Sequence, residues 1–399
     1  MNTTHAARAT SAIAIAAASA AAQLGPITPP AGPVADTGPD LGQLQQEIEA
    51  VEPRVAINAT NTPGDADSFF RISRPGSYYL TGKISASAAG FNIIEVAAGD
   101  VTIDLNGNQI LGFQSETAVF AAAADSVVVK NGTIRLIQGR AISLGGENCV
   151  VSDVRAYTTG GITVGDNGVV RRTAVNVSSS TVIVAGRDVM LRDCSIRSTV
   201  GAGVVLGETA IARDCTVRGA TGSGFLLGLG AQAVGCIAAN NSGPGFQAFT
   251  DNLIDGCTSR DNGSGALAGS GVTIRRSLFV ANNSHGINID AGGQVHSNVV
   301  RSNGSDGIIA RASNLVADNT CDANGQHGIV LLGQANRVER NNLTANQGTG
   351  LRATAAAATD NAIVRNSARA NGTNYSVIGN NFALVVVGPT QFADANIDQ

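Results

Sequence analysis

RDCSIRSTVGAGVVLGETAIA (192–212), RDCTVRGATGSGFLLGLGAQA (213–233) and VGCIAANNSGPGFQAFTDNLI (234–254) are consecutive windows of 21 residues, each with cysteine at its third place. The window after them repeats the placement, so Cys194, Cys215, Cys236 and Cys257 stand at an even period of 21. The glycine that opens the next apolar run keeps nearly the same step: Gly203, Gly224, Gly245, Gly265, Gly286, Gly307, Gly328 and Gly350. A period of 20 to 22 residues held over seven steps excludes a closed globular domain. It marks a solenoid, in which each repeat is one coil stacked on its neighbours.

Within a coil, facing follows from alternation. After the glycine comes an apolar pair at the first and third positions, as in Val204/Leu206, Phe225/Leu227, Ile287/Ile289 and Ile329/Leu331, which points inward. A second strand follows (Ala210–Ala212, Val272–Ile274, Leu315–Ala317), and a third carries the cysteine column. Before the next glycine stands asparagine: Asn241, Asn262, Asn283, Asn303, Asn324, Asn346 and Asn371. Asparagine tolerates left-handed backbone and bonds locally through its amide, so these residues are expected to stack as a ladder at one corner. Three short strands and three corners in about 21 residues describe an all-β parallel β-helix, about twelve to fourteen turns in a rod ~55–70 Å long.

Composition fits thin aliphatic layers. Glycine is abundant (49), tryptophan is absent and charged residues make up 14%. The formal net charge of −4 supplies no basic field for nucleic acid. Of 26 basic residues only Lys83 and Lys130 are lysine, and arginine's planar fork suits carboxylate, sulfate and phosphate. Met1–Ala22 reads as a secretory signal peptide ending in Ala20-Ala21-Ala22, and no later segment has the ~20 apolar residues of a membrane span. The expected location is secreted or cell surface. Residues 23–53 read as a Pro-rich linker with a short helix, Leu41–Val51, capping the first coil. The solenoid is expected over 54–388 and a tail over 389–399.

The segment NTPGDADSFFRISRPGSYYLTGKI (61–84), followed by VTIDLNGNQI (101–110), resembles the first coils of a group of secreted bacterial β-helices. From about residue 54 to 388 the chain resembles right-handed parallel β-helix repeat proteins of the pectin-lyase-like superfamily. The resemblance implies a right-handed solenoid. It names no activity, because the superfamily spans lyases, glycosidases, epimerases, phage spikes and adhesins. Ser284-His285-Gly286 is similar to the His-Gly element of polygalacturonase-like glycosidases, but the paired aspartates and Arg-x-Lys element that accompany it there are missing. So are the Asp-Pro-His signature of alginate epimerases and the acidic calcium cluster of pectate lyases.

The repeat phase brings candidate chemistry into columns. The residue before each coil glycine forms one, and there His285, Asp306 and His327 stack in successive coils as candidate catalytic residues, ~5 Å between neighbours. Asp290 and His296 come from the same coil as His285. The bland reading is a polar corner that commonly carries such residues. Arg192 and Arg197 bracket Cys194, and Arg213 and Arg218 bracket Cys215, which stacks four guanidinium groups as a candidate grip on an acidic polysaccharide. Their alternative is a solvated column balanced by Asp188, Asp193 and Asp214. Asp65 and Asp67 offer two carboxylates to Ca2+, short of a full ligand set. The cysteines cannot surround a tetrahedral metal from one line. A buried core column is their first reading and disulfides between coils the second, with Cys149 and Cys321 also core. No other metal set is apparent.

Two residues after the coil glycine, Val205, Leu226, Leu267, Ile309 and Val330 form an outward apolar row. It is expected either to pack within the chain or to join rods side by side as a lateral homo-oligomer. Two function classes therefore stand. One is a β-helix that binds acidic extracellular polysaccharide along its side, or acts on it as lyase, epimerase or glycosidase. The other is a structural, adhesive or self-assembling surface protein without catalysis.

Overall fold

The computed structural model describes residues 54–177, 182–198, 200–383, 385–387 and 396–398, and all of them are strand, turn or loop with no helix. The expected signal peptide, linker and capping helix fall in residues 1–53, outside the described residues. Fifteen strands, from Ser68–Ile72 to Thr373–Val377, form one parallel sheet with one strand from each coil. Two more strands complete a typical coil: Met190–Arg192 pairs with Ile211–Arg213, and Ser195–Ser198 pairs with Thr216–Arg218. We call these the first, second and third sheets in chain order. Fifteen coils at ~4.8 Å make this unit about 70 Å long. Asn396–Asp398, in the stretch read as a tail, still pairs with Val385–Val387 and with Ser367–Ala368.

The interior is a stack of thin layers. Ile183, Val204, Phe225, Phe246 and Ala266 follow one another on the inner face of the first sheet and are fully buried. The rings of Phe225 and Phe246 stack with centroids 5.2 Å apart. Register is strict because a slip of one residue would expose a whole row of this core.

Each corner uses one device, a residue in left-handed conformation followed by one that faces inward. Between the second and third sheets Asp193, Asp214, Arg276, Ser297 and Asp318 adopt φ from 51° to 58°. The buried residues after them are Cys194, Cys215, Ser277, Asn298 and Asn319. The expectation that asparagine itself takes the left-handed position is corrected: it follows that position. The same rule corrects the ladder. Ala281 has φ 55°, so Asn282, not Asn283, turns inward. Asn262 donates its backbone N–H and Nδ2 to Oδ1 of Asn282 (3.1 and 3.2 Å), and Asn282 does the same to Asn303 (3.1 and 2.9 Å).

Ladders occur at more than one corner. In the later coils a second one, Asn298–Asn319–Asn341–Asn366–Asn396, extends the cysteine column, and a third runs Asn314–Asn336–Asn361–Asn381. The glycine column exists to admit the first ladder. A Cβ at Gly307 would sit 2.9 Å from Asn324 Nδ2 and 2.5 Å from the Gly328 carbonyl oxygen, so no larger residue fits without displacing the ladder.

All six cysteines are free and buried, as the core-column reading requires. Their thiols donate weakly to backbone: Cys236 Sγ to Ala212 O at 3.4 Å and Cys257 Sγ to Ala233 O at 3.3 Å. Contact with the neighbouring thiol of Cys215, and then burial, push the Cys194 thiol far up, so it stays protonated.

Candidate functional site

The arginine columns emerge in register. Arg171 pairs with Arg192 and Arg192 with Arg213 on the second sheet, while Arg197 pairs with Arg218 on the third. Arg197, Arg213 and Arg218 are exposed, and Arg171 and Arg192 are half-buried. The turn residues Asp193 and Asp214 stand between the two columns, yet among the described residues none of these five guanidinium groups has an ion pair. The balanced-column alternative therefore lacks its pairing. The Nε atoms of Arg171 and Arg192 are also enclosed without an acceptor.

Several arginines elsewhere on the solenoid are neutralised. Arg275 and Arg276 close on buried Asp255, Arg337 and Arg340 on Glu339, Arg311 on Asp290, and Arg172 on Asp153. Like charges one strand spacing apart repel by about 1 kcal/mol even in water. The five guanidinium groups of the arginine columns stand in register without an ion pair among the described residues.

The column before the coil glycines is on the outer side of the first sheet. His285 Nδ1 lies 3.3 Å from Asp306 Oδ2. The other carboxylate oxygen, Oδ1, accepts the backbone N–H of His327 at 3.1 Å, and His327 Nδ1 accepts the N–H of Thr349 at 2.7 Å. Each side chain thus reaches the main chain of the next coil. The His327 ring makes no ion pair with Asp306, so the geometry joins His285 with Asp306 and leaves His327 facing onward. Burial alone would raise the Asp306 carboxyl, but the His285 ring and the His327 N–H outweigh it and hold it below its ordinary range. Burial, together with the charge of Arg352, holds His327 below its ordinary value against the pull of Asp306.

Asp290 follows His285 along the first sheet and is paired with Arg311 at 2.8 Å, whereas His296 belongs to the second sheet between Arg275 and Ala317. Two residues that sequence reasoning did not include join these groups. Arg352 Nη1 lies 3.0 Å from His327 Nε2, and its place was readable as the continuation of the Ile309–Val330 outward row. Glu95 joins Asp65 and Asp67, with ligand atoms within 4.8 Å of one another. There the Arg71 guanidinium bonds Asp65 and reaches Glu95 at 3.1 Å, so a side-chain cation already stands among these carboxylates.

The outward apolar row is uneven. Leu267 is 42% exposed, Val205 and Leu226 are half-buried, and Ile309 and Val330 are only 7% exposed each. No helix among the described residues is long and apolar enough to cross a membrane.

Fold and columns together define a parallel β-helix protein. A family model described as "right handed beta helix region" matches residues 180–315. Among solved structures, the chain is similar to the A-module of mannuronan C-5 epimerase AlgE4 from Azotobacter vinelandii, at 15% identity and TM-score 0.45, over 73% of this chain and 86% of that one. It is similar to the AlgE6 A-module from the same organism at 16% identity and TM-score 0.42, over 82% and 90%. A GH87 α-1,3-glucanase catalytic unit from Streptomyces thermodiastaticus gives 14% identity and TM-score 0.35, over 87% and 68%. No curated protein matches the sequence.

Proposed function

We propose that this protein is an exported β-helix that binds an acidic extracellular polysaccharide along its side, and that binding rather than turnover is its work. The observation that carries the reading is the set of Arg171, Arg192, Arg213, Arg197 and Arg218, in register on successive coils and without ion pairs among the described residues. Strand spacing sets the distance between charges at about 4.8 Å, on the scale of one sugar residue. A polyuronate or sulfated glycan lying along the axis would meet a guanidinium at each coil, with paired hydrogen bonds to carboxylate or sulfate. A catalytic role for His285 and Asp306 is a subordinate part of the proposal, since they form one close His–carboxylate contact on the first sheet.

The test is retention on immobilised pectate, alginate and sulfated glycan against a neutral glucan, with and without calcium, while ultraviolet absorbance follows unsaturated uronate. Retention on an acidic glycan that weakens with salt and drops at least about tenfold in Arg192→Gln/Arg213→Gln supports the proposal. No retention on any acidic glycan overturns it. Product formation that His285→Ala or Asp306→Ala abolishes would instead establish turnover. The partly exposed Val205–Leu226–Leu267 row supports a second reading, side-by-side association. Light scattering that stays monomeric at all concentrations would remove it.

A further inference from the structure

We infer that His327 and Arg352 form an oxyanion-binding site on the first sheet, separate from the arginine columns of the second and third sheets. Two donors meet at this ring, with an acceptor for only one of them. The backbone N–H of Thr349 donates to His327 Nδ1 at 2.7 Å, which requires a lone pair on that nitrogen. In a neutral imidazole the proton then resides on Nε2. Arg352 Nη1 stands 3.0 Å from Nε2, and a guanidinium has donors only. Two N–H groups therefore point toward one another with no acceptor between them.

No protonation state of the ring removes this conflict. Moving the proton to Nδ1 sets it against the Thr349 N–H, and a doubly protonated ring clashes at both nitrogens. The missing partner is an acceptor, and beside a guanidinium a negatively charged one is strongly preferred. Among the described residues the carboxylates of Asp306 and Asp290 are already engaged. Asp306 is engaged by His285 and by the His327 N–H, and Asp290 by Arg311. The guanidinium is also held in place, because Arg352 Nε donates to Thr354 Oγ1 at 2.9 Å. One oxygen of a carboxylate or sulfate, seated beside this pair within hydrogen-bond reach of both Nε2 and Nη1, satisfies both donors and neutralises Arg352.

The experiment is nitrogen-15 NMR of histidine-labelled protein, with the His327 signal assigned by its loss in His327→Gln. The probes are sodium sulfate and a galacturonate trisaccharide. Neutral His327 is expected to carry its proton on Nε2, and a probe should shift that resonance saturably. Arg352→Gln, with unchanged melting temperature, should weaken binding by about tenfold or more, the loss expected for one charge-assisted hydrogen bond. Saturation by sulfate alone assigns a small inorganic oxyanion, and tighter saturation by the trisaccharide assigns a uronate carboxylate. A proton on Nδ1, no saturable shift with either probe, or wild-type affinity in folded Arg352→Gln overturns the inference. Should Arg352→Gln fail to fold, the tautomer and the titration of the unaltered protein still decide. The arginine-strip variant Arg192→Gln/Arg213→Gln should leave the His327 shift intact, which separates this site from glycan binding on the other sheets.

Discussion

The corner between the second and third sheets is built in two materials. From Cys194 to Cys257 its inward column is thiol, and from Asn298 to Asn396 it is amide. The backbone does not change. Asp214 before Cys215 has φ 52° and Asp318 before Asn319 has φ 56°. Even the partners correspond: Cys257 Sγ points to Ala233 O, 24 residues back, and Asn298 Nδ2 to Ile274 O, also 24 back. Ser277 joins the halves, accepting the Cys257 N–H on its hydroxyl and donating its own N–H to Asn298 Oδ1, each at 3.0 Å. What differs is how each column satisfies the interior. An asparagine both accepts from the coil before it and donates to a carbonyl, whereas a thiol is a weak donor whose main contribution is apolar packing. The corner therefore specifies a conformation and a direction, and the chemistry that fills it is interchangeable within those limits.

Breaking the amide half should have the largest effect. Asn319→Ala removes the acceptor shared by the N–H and Nδ2 of Asn298, leaving that N–H without a partner and Nδ2 with only the Ile274 carbonyl, and takes the amide donor from the Val295 carbonyl in a dry interior. A loss of about 3–5 kcal/mol in denaturant unfolding is expected. Gly307→Ala comes next. Its methyl group would crowd the Asn324 amide and the Gly328 carbonyl, at a cost of about 1–3 kcal/mol by the same measurement. Cys236→Ala, in the thiol half, removes one sulfur and should cost about 1–2 kcal/mol. If it matches Asn319→Ala, the contrast between the halves fails. The buried, protonated thiols should resist alkylation until the coils open, so labelling rate against denaturant reports the same difference.

Acid should distinguish the halves most gently. The His–Asp column lies among amide-cornered coils. His327 has a depressed folded value, so it favours the native state when neutral, and that contribution erodes as pH falls below its ordinary 6.5. Asp306 is likewise depressed, so its contribution is present above 3.8 and is lost as pH falls through its lower folded value. Hydrogen exchange should therefore quicken first around residues 285–349 on acidification, while the thiol half stays protected. Uniform quickening would contradict this.

Much of this was legible as period. The cysteine step alone put His285, Asp306 and His327 on one line and Arg192 beneath Arg213, because parallel register leaves few alternatives. What escaped was decided by single dihedral angles and rotamers. Asn282 and Asn283 are adjacent and chemically identical. Only the left-handed turn at Ala281 chooses between them, and alanine is not a residue that advertises such a turn. Similarly, column membership could not reveal that Asp306 bonds the backbone of His327 and not its ring. Nor could it show that Asp193 and Asp214 leave the neighbouring arginines bare, since charge counts do not report direction.

The joint at Ser277 also bears on how such a chain changes over generations. At this corner a coil presents one acceptor to the coil before it and one donor to the coil after it, beside strand ladders that every coil repeats in the same register. Whole coils can then be duplicated or deleted in frame without redesigning the rest, as links are added to a chain. Reach along a surface becomes a trait that recombination can alter in steps of one strand spacing, while the composition of each link drifts on its own.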